Sequence, residues 1–389
     1  MTERLTALMT AEADLLDVPP APTATVLTRG RTLRRRRRGA QLGTGLAALA
    51  LVAGVGLAVT SGSDDRRDAL DPSGSPSAGA DAPDLGAVFA IGPDVHLTGV
   101  DVVADIDDVT VKSMYYTSAG VLVRHGDNSY SDGGGPQRFS LVGTDGVVTP
   151  LALVTEGIVH ATDPSQPYVV YVDRPDGLDG VAVLHVRDVT TDSEVATVDL
   201  PEATEGYSPA SLDGDTVYVR NGSSVLTVDW REATVGTSDT LTSEVVAGGH
   251  AIEGYGEDPT VVDVATGRTL LSADLNPDAY GYFSLSPDGA SAVLFVDDDT
   301  FGSGGASETT AYDVETGATL TVPGASYDYG WTSAGDLFRV SEPGIVTTCV
   351  VSTGECAETD AKLDVLPDTN YRTRTVEDDL VLGGVTRES

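Results

Sequence analysis

Two short patterns recur along most of this chain, and their spacing limits what it can fold into. The first has the form x-D-V-x-T-G-x-x-L and is clearest as VVDVATGRTL at Val261–Leu270 and AYDVETGATL at Ala311–Leu320. Looser copies are SLVGTDGVV at Ser140–Val148, VRDVTTDSEV at Val186–Val195, TVDWREATV at Thr227–Val235 and TCVVSTGECA at Thr348–Ala357. Counted at the aspartate or its equivalent, they sit at 142, 188, 229, 263, 313 and 350, a mean step of about 42 residues. The second pattern is a turn feeding an apolar or alternating strand: TSAGVLV from 117, DPSQPYVVYV from 163, SLDGDTVYV from 211, VAGGHAI from 246, SPDGASAVLFV from 286, TSAGDLFRV from 332 and VEDDLVLGG from 376. Between these landmarks, short runs of Val, Tyr, Leu and Thr alternate with Gly, Asp and Pro turns, and no helical periodicity persists. That pattern is all-β. Two hairpin signals in each unit give four strands per repeat, the size of one blade of a radial sheet array.

Seven copies of the second pattern stand against six of the first. The opening hairpin AVFAIGPDVHLTG, Ala87–Gly99, has no partner of its own, and Leu380–Val385 lies too near the end of the sequence for another hairpin. Joining the two makes a seventh unit from both ends and pairs the edge strands. The turn Ser286–Gly289 (SPDG) and the hairpins at Asp263–Gly267 and Asp313–Gly317 resemble the blades of bacterial WD-repeat-like and YVTN-type β-propellers, and of the propeller domain of the Tol translocation system. The resemblance covers roughly residues 87–386 and implies architecture, not activity. The expected fold is an all-β, seven-bladed propeller, with six or eight blades as alternatives.

Ahead of it lies the run AQLGTGLAALALVAGVGLAVT, residues 40–60, which holds no charged side chain. As a helix it would reach roughly 31 Å, enough to cross a bilayer's hydrocarbon core. Arg34, Arg35, Arg36, Arg37 and Arg38 precede it directly and should stay on the cytoplasmic side. A cleaved signal peptide is the rival, but signal peptides place a shorter apolar region close to the N-terminus, whereas 39 residues come first here. The expected organisation is a cytoplasmic tail (1–39) with a short amphipathic helix over Thr2–Val18, a single transmembrane helix (40–60), a linker rich in Ser, Gly, Pro and Asp (61–84), and an extracytoplasmic propeller (85–389).

The whole chain carries a formal charge of −37. Residues 1–60 hold eight arginines and four acids, or +4, so the remainder carries −41. Such a field repels phosphate backbones and excludes nucleic acid as a partner of the outer domain. It also keeps an exported domain soluble.

Few residues point to chemistry. Cys349 and Cys356 flank Ser352-Thr353 at the positions held by Tyr312 and Thr319 one blade earlier. With a two-residue loop they would lie directly opposite, about 4.5–5.5 Å apart at Cα, within disulfide range. Redox or metal roles lack a nearby histidine, so a structural disulfide is expected, as suits an exported domain. His96, His125, His160, His185 and His250 are too far apart in sequence for a zinc motif. The acids Asp105, Asp107 and Asp108, and Asp297–Asp299 before the Gly-rich stretch 301–306, offer oxygen ligands for calcium but lack its twelve-residue loop. There is no G-x-S-x-G elbow, and no acid pair stands out for catalysis. No cofactor is expected. The function expected is non-catalytic binding of an extracytoplasmic protein or cell-wall glycan. A basic tail, one span and an outer domain are also similar in layout to membrane-bound anti-sigma factors of actinobacteria, which would make the protein a sensor with a cytoplasmic partner, although the tail lacks their zinc-binding H-x3-C-x2-C signature. A propeller hydrolase or lyase is the remaining alternative. An apolar or aromatic-rich surface patch on one ring face would favour a protein-binding module, and a buried cluster of carboxylates or histidines at the channel mouth would favour the enzyme.

Overall fold

A computed structural model of the chain describes residues 83–127, 137–155, 160–174, 180–201, 208–256, 258–275, 280–297, 308–341, 344–363 and 379–384. They form seven antiparallel four-stranded sheets. Blade 1 takes Val88–Ile91, Asp94–Leu97 and Val102–Asp105 from the start of the domain and Leu380–Leu382 from its end. Blade 2 runs Thr110–Thr117, Gly120–Gly126, Gln137–Val142 and Val148–Thr155; blade 3 runs His160–Thr162, Tyr168–Asp173, Val183–Asp188 and Ser193–Asp199. Blade 4 holds Ala210–Asp213, Thr216–Asn221, Ser224–Asp229 and Thr234–Thr237, and blade 5 Val246–Ala247, His250–Glu253, Thr260–Asp263 and Thr269–Ser272. Blade 6 is Tyr280–Leu285, Ser291–Asp297, Glu308–Asp313 and Thr319–Pro323; blade 7 is Gly330–Trp331, Leu337–Val340, Ile345–Cys349 and Cys356–Asp360.

Burial orders the strands from inside to outside. The first strand of blade 2 is buried throughout, whereas the fourth strands of blades 4 and 7 are exposed at every position. An apolar residue on either face of a blade therefore meets the neighbouring blade, and seven separate hydrophobic clusters result. Blade 1 packs on blade 2 through Val88, Val95, Met114 and Val123. Blades 2 and 3 meet through Tyr115, Leu122, Phe139 and Val169, and blades 3 and 4 through Leu184, Val186, Val217 and Trp230. The series continues through Tyr218 with Ala251, Ile252 with Phe283, and Val293 with Trp331. Phe338 and Val340 of blade 7 then pack on Phe89 and Ile91 of blade 1. Seven interfaces between seven blades close the ring, which decides against six or eight.

Closure follows the expected joining of the two ends with one change. Phe89 pairs with Leu382, Ala90 with Val381 and Ile91 with Leu380, so the late strand is innermost in blade 1. The opening segment contributes three strands and not a single hairpin, because Val102–Asp105 adds to Asp94–Leu97. VEDDLVLGG is thus no copy of the second pattern, since Leu380–Leu382 takes the place of a first strand and not of a second. The hydroxyl of Tyr116, on the inner strand of blade 2, donates to the Trp331 carbonyl of blade 7 at 2.8 Å. Trp331 N–H in turn donates to Gly383 O at 3.0 Å, and Gly383 N–H to Val88 O at 2.8 Å.

The repeated motifs have local causes. In the first, Asp263 Oδ1 accepts the backbone N–H and hydroxyl of Thr266 at 2.8 and 2.6 Å, and Asp313 does the same with Thr316. The following valine turns into the inter-blade core, as Val314 and Val351 do. The glycine closes the turn in the left-handed region, at φ 70° for Gly317, where a side chain would be strained. The pairs Asp313 N to Ala318 O and Val350 N to Glu355 O enclose four residues, so these loops have four residues and not two. Cys349 and Cys356 still lie directly opposite and are disulfide-bonded, with Cα atoms 4.1 Å apart. The bridge sits in the blade whose turn has Val350 in place of the capping aspartate.

The second motif links blade to blade. Gly214 N–H of blade 4 donates to Asp163 of blade 3 at 2.8 Å, and Gly249 N–H of blade 5 to Asp213 of blade 4 at 2.9 Å. The His250 ring reaches Gly289 O in blade 6 at 2.9 Å, and Ser333 of blade 7 donates to Pro83 O at 3.0 Å. These turns tie one edge of the ring together.

All described residues lie within the unit Gly74–Ser389, one of two into which the chain divides. The tail helix over Thr2–Val18, the arginines Arg34–Arg38, the span 40–60 and all but the end of the linker lie outside the described residues. Among the described residues, no helix is long and apolar enough to cross a membrane.

Candidate functional site

The antiparallel connectivity sorts the loops onto two edges of the ring. Turns from first to second strand and from third to fourth share one edge and are short, as the repeated motifs require. Connections from second to third strand, and from each blade to the next, leave from the opposite edge and vary widely in length. Residues 126–137 and 297–308 are connections of that kind. A rigid ring with one edge of variable loops is the usual way such a scaffold carries a site.

From that variable edge down the inner strands, blades 5, 6 and 7 gather a group of aromatic side chains. Tyr255 follows the second strand of blade 5, where Gly256 bridges to Gly281 at the start of blade 6 through backbone bonds of 2.9 and 3.1 Å. Strand alternation along Tyr280–Leu285 then turns Tyr280 and Tyr282 outward and Gly281, Phe283 and Leu285 inward. Tyr282 stacks on Phe295 with ring centres 5.0 Å apart and planes within 3°, and lies 6.1 Å from Tyr255. From blade 7 come Tyr329, after the short 3-10 turn Ser326–Asp328, and Trp331. Leu382, Gly383 and Gly384 of the closing strand supply the far wall. Gly383 matters there, because a Cβ would lie 2.6 Å from Val88 O and push the backbones apart. Together these residues enclose a cleft of about 450 Å³, within the range of small-molecule sites.

Nineteen residues line the cleft and none is charged; its side-chain polar groups are those of Ser284, Ser326, Tyr255, Tyr282, Tyr329 and the Trp331 indole. Tyr329 donates its hydroxyl to Pro323 O, and burial raises its pKa, so it stays neutral. Charges stand outside the lining. Arg220 binds the buried Glu244 at 2.6 Å, and Glu253 accepts from the backbone and hydroxyl of Thr242. Arg339 donates to Pro323 O beside Asp328, whose carboxylate accepts from Ala325 N–H.

A second polar group lies between blades 1 and 2. His125 Nδ1 meets Asp108 Oδ2 at 2.6 Å and His125 Nε2 meets Ser140 Oγ at 3.0 Å. The order acid, imidazole, hydroxyl is that of a hydrolase triad, but its surroundings are those of a clamp. Ser140 is 2% exposed and His125 7%. Arg138 grips both oxygens of Asp108, at 2.7 and 2.8 Å. Burial alone would raise the Asp108 pKa, yet the bonds from Arg138 and His125 outweigh it and the carboxyl is held below its usual range. Asp108 is thereby occupied, and Asp105, Asp107 and Asp108 form no metal-ligand cluster among the described residues. The other proposed acidic cluster, Asp297–Asp299 with the stretch 301–306, lies outside those residues apart from the backbone of Asp297.

All five histidines are strand residues. His160 is fully buried against Phe139, and desolvation, helped by the nearby Arg124, lowers its pKa to about 3. His185 pairs with Glu194 at 2.6 Å on the opposing strand. No cluster of histidines or free carboxylates faces the cleft among its described lining residues. No protein-family model matches the chain, and no curated protein matches it significantly.

Proposed function

We propose that this protein is a membrane-anchored, extracytoplasmic binding platform without catalytic turnover, engaging its ligand through the aromatic cleft over blades 5–7. The observation that carries this is the cleft itself: six aromatic rings and an uncharged wall in a chain of net charge −37. Tyr255 and Tyr282 remain 44% and 37% exposed, although burying rings of this size would stabilise the fold. Exposed rings on a rigid rim serve binding, and the polar side chains of the lining are hydroxyls and one indole, without a carboxylate or imidazole beside them in the lining. Three features support the outer location. The run 40–60 is long enough to span, Arg34–Arg38 favour an inner tail, and the Cys349–Cys356 bridge suits an oxidising compartment.

The test compares the full chain with a Tyr255→Ser/Tyr282→Ser variant, both immobilised and exposed to solubilised wall and membrane material from the native cell. The variant should remain folded, with a melting temperature lowered by the lost stacking on Phe295, and lose retention of whatever the wild type holds. Equal retention by both would reject the cleft as the binding site.

A further inference from the structure

The ligand class follows from the same cleft, and the inference rests on its being a binding site. We propose that the cleft takes a weakly hydrated organic cation of the quaternary-ammonium class, present as a free solute. Six aromatic residues, Tyr255, Tyr282, Phe283, Phe295, Tyr329 and Trp331, line the cleft, and aromatic rings attract cations through their quadrupole. No carboxylate lines the site to replace the water of a metal ion. A glycan or polar peptide would leave most of its hydrogen-bonding groups without partners, since two serines, the tyrosine hydroxyls and an indole are all the lining side chains offer. A quaternary ammonium has no such groups to satisfy. Its charge is drawn in by a domain whose net charge repels anions, and of the arginines at the margin Arg220 is paired with Glu244 while Arg339 lies near Asp328. A volume of about 450 Å³ suits a small molecule of this kind.

The experiment uses the full chain in a maltoside detergent, which carries no quaternary ammonium. Choline is titrated against its neutral isostere 3,3-dimethyl-1-butanol. Binding is read from Trp331 fluorescence, with Trp331→Phe subtracting the signal of Trp230, and from the shift in melting temperature of the unsubstituted chain. Choline should bind saturably and at least about fivefold tighter than the isostere, and raised salt should weaken choline alone. Tyr282→Leu, which keeps apolar bulk and removes a π face, should cost choline about fivefold or more and leave the isostere unchanged. Equal affinity for the two compounds, or a Tyr282→Leu variant that binds choline normally, overturns the cation assignment while the binding cleft stands. No saturable response to either compound overturns the cation assignment and the small-molecule cleft together.

Discussion

Replacing Asp108 with alanine should destabilise the propeller far more than its place in a connecting loop suggests. The Asp108 side chain is 7% exposed and accepts from Arg138 at 2.7 and 2.8 Å, from His125 at 2.6 Å and from Val109 N–H at 2.7 Å. Arg138 is 41% exposed and retains Asp127 at 2.6 Å, so its loss is screened and costs about 0–1 kcal/mol. His125 is buried and has no such alternative, and leaving its ring nitrogen unmatched costs about 1–3 kcal/mol. The sum, about 1–4 kcal/mol, corresponds to a fall in melting temperature of roughly 2–12 °C for a domain of this size. Calorimetry at pH 7 measures it, with Asp127→Ala, at a 66% exposed position, as the control. The folded pKa of Asp108 is lowered, so its contribution is present above the usual carboxylate value near 3.8 and fades as pH falls through the folded value. The gap between wild type and variant should narrow in that acid range. A loss below 1 °C at pH 7, or equal losses for Asp108→Ala and Asp127→Ala, would refute the clamp.

Cys349→Ser should lower stability by about 2–3 kcal/mol in urea titrations, the entropy of an eight-residue loop, and a reductant should bring the wild type to the same midpoint. Tyr116→Phe removes a buried hydroxyl that reaches from blade 2 to blade 7 and should cost about 1–2 kcal/mol in the same assay. Asp213 behaves oppositely to Asp108, because burial, with Asp163 nearby, raises its pKa despite the Gly249 N–H. Its favourable contribution is present below the ordinary carboxylate pKa and is lost as pH rises through the folded value. Asp213→Asn, which keeps an acceptor for Gly249, should therefore be neutral or stabilising at pH 7 by thermal melting.

The architecture was legible because its causes are local. A turn aspartate, a valine for the inter-blade core and a left-handed glycine repeat at blade spacing, so Asp263, Val264 and Gly267 announce a hairpin without any tertiary information. The cysteine pair was readable for the same reason, being cross-strand neighbours in one hairpin. Counting failed at VEDDLVLGG, because whether Leu380–Leu382 stands first or second in its sheet depends on contacts with Val88–Ile91, nearly three hundred residues earlier. The cleft was not legible at all. Tyr255, Tyr282, Phe295 and Trp331 come from three blades; the first three lie toward the variable edge, whereas the repeats mark the opposite one, which Trp331 adjoins. Asp108 and His125 likewise meet only because the connection into blade 2 crosses the end of its second strand.

The most direct test of the binding platform is site-specific photo-cross-linking in native membranes, with p-benzoylphenylalanine placed in the full chain at Tyr255, at Tyr327 and, on the exposed outer strand of blade 4, at Thr234. Adducts should form at Tyr255 and Tyr327, at the cleft and its rim, and not at Thr234. Adducts from Thr234 alone, or equal yields at all three positions, would contradict a platform that binds through the aromatic edge.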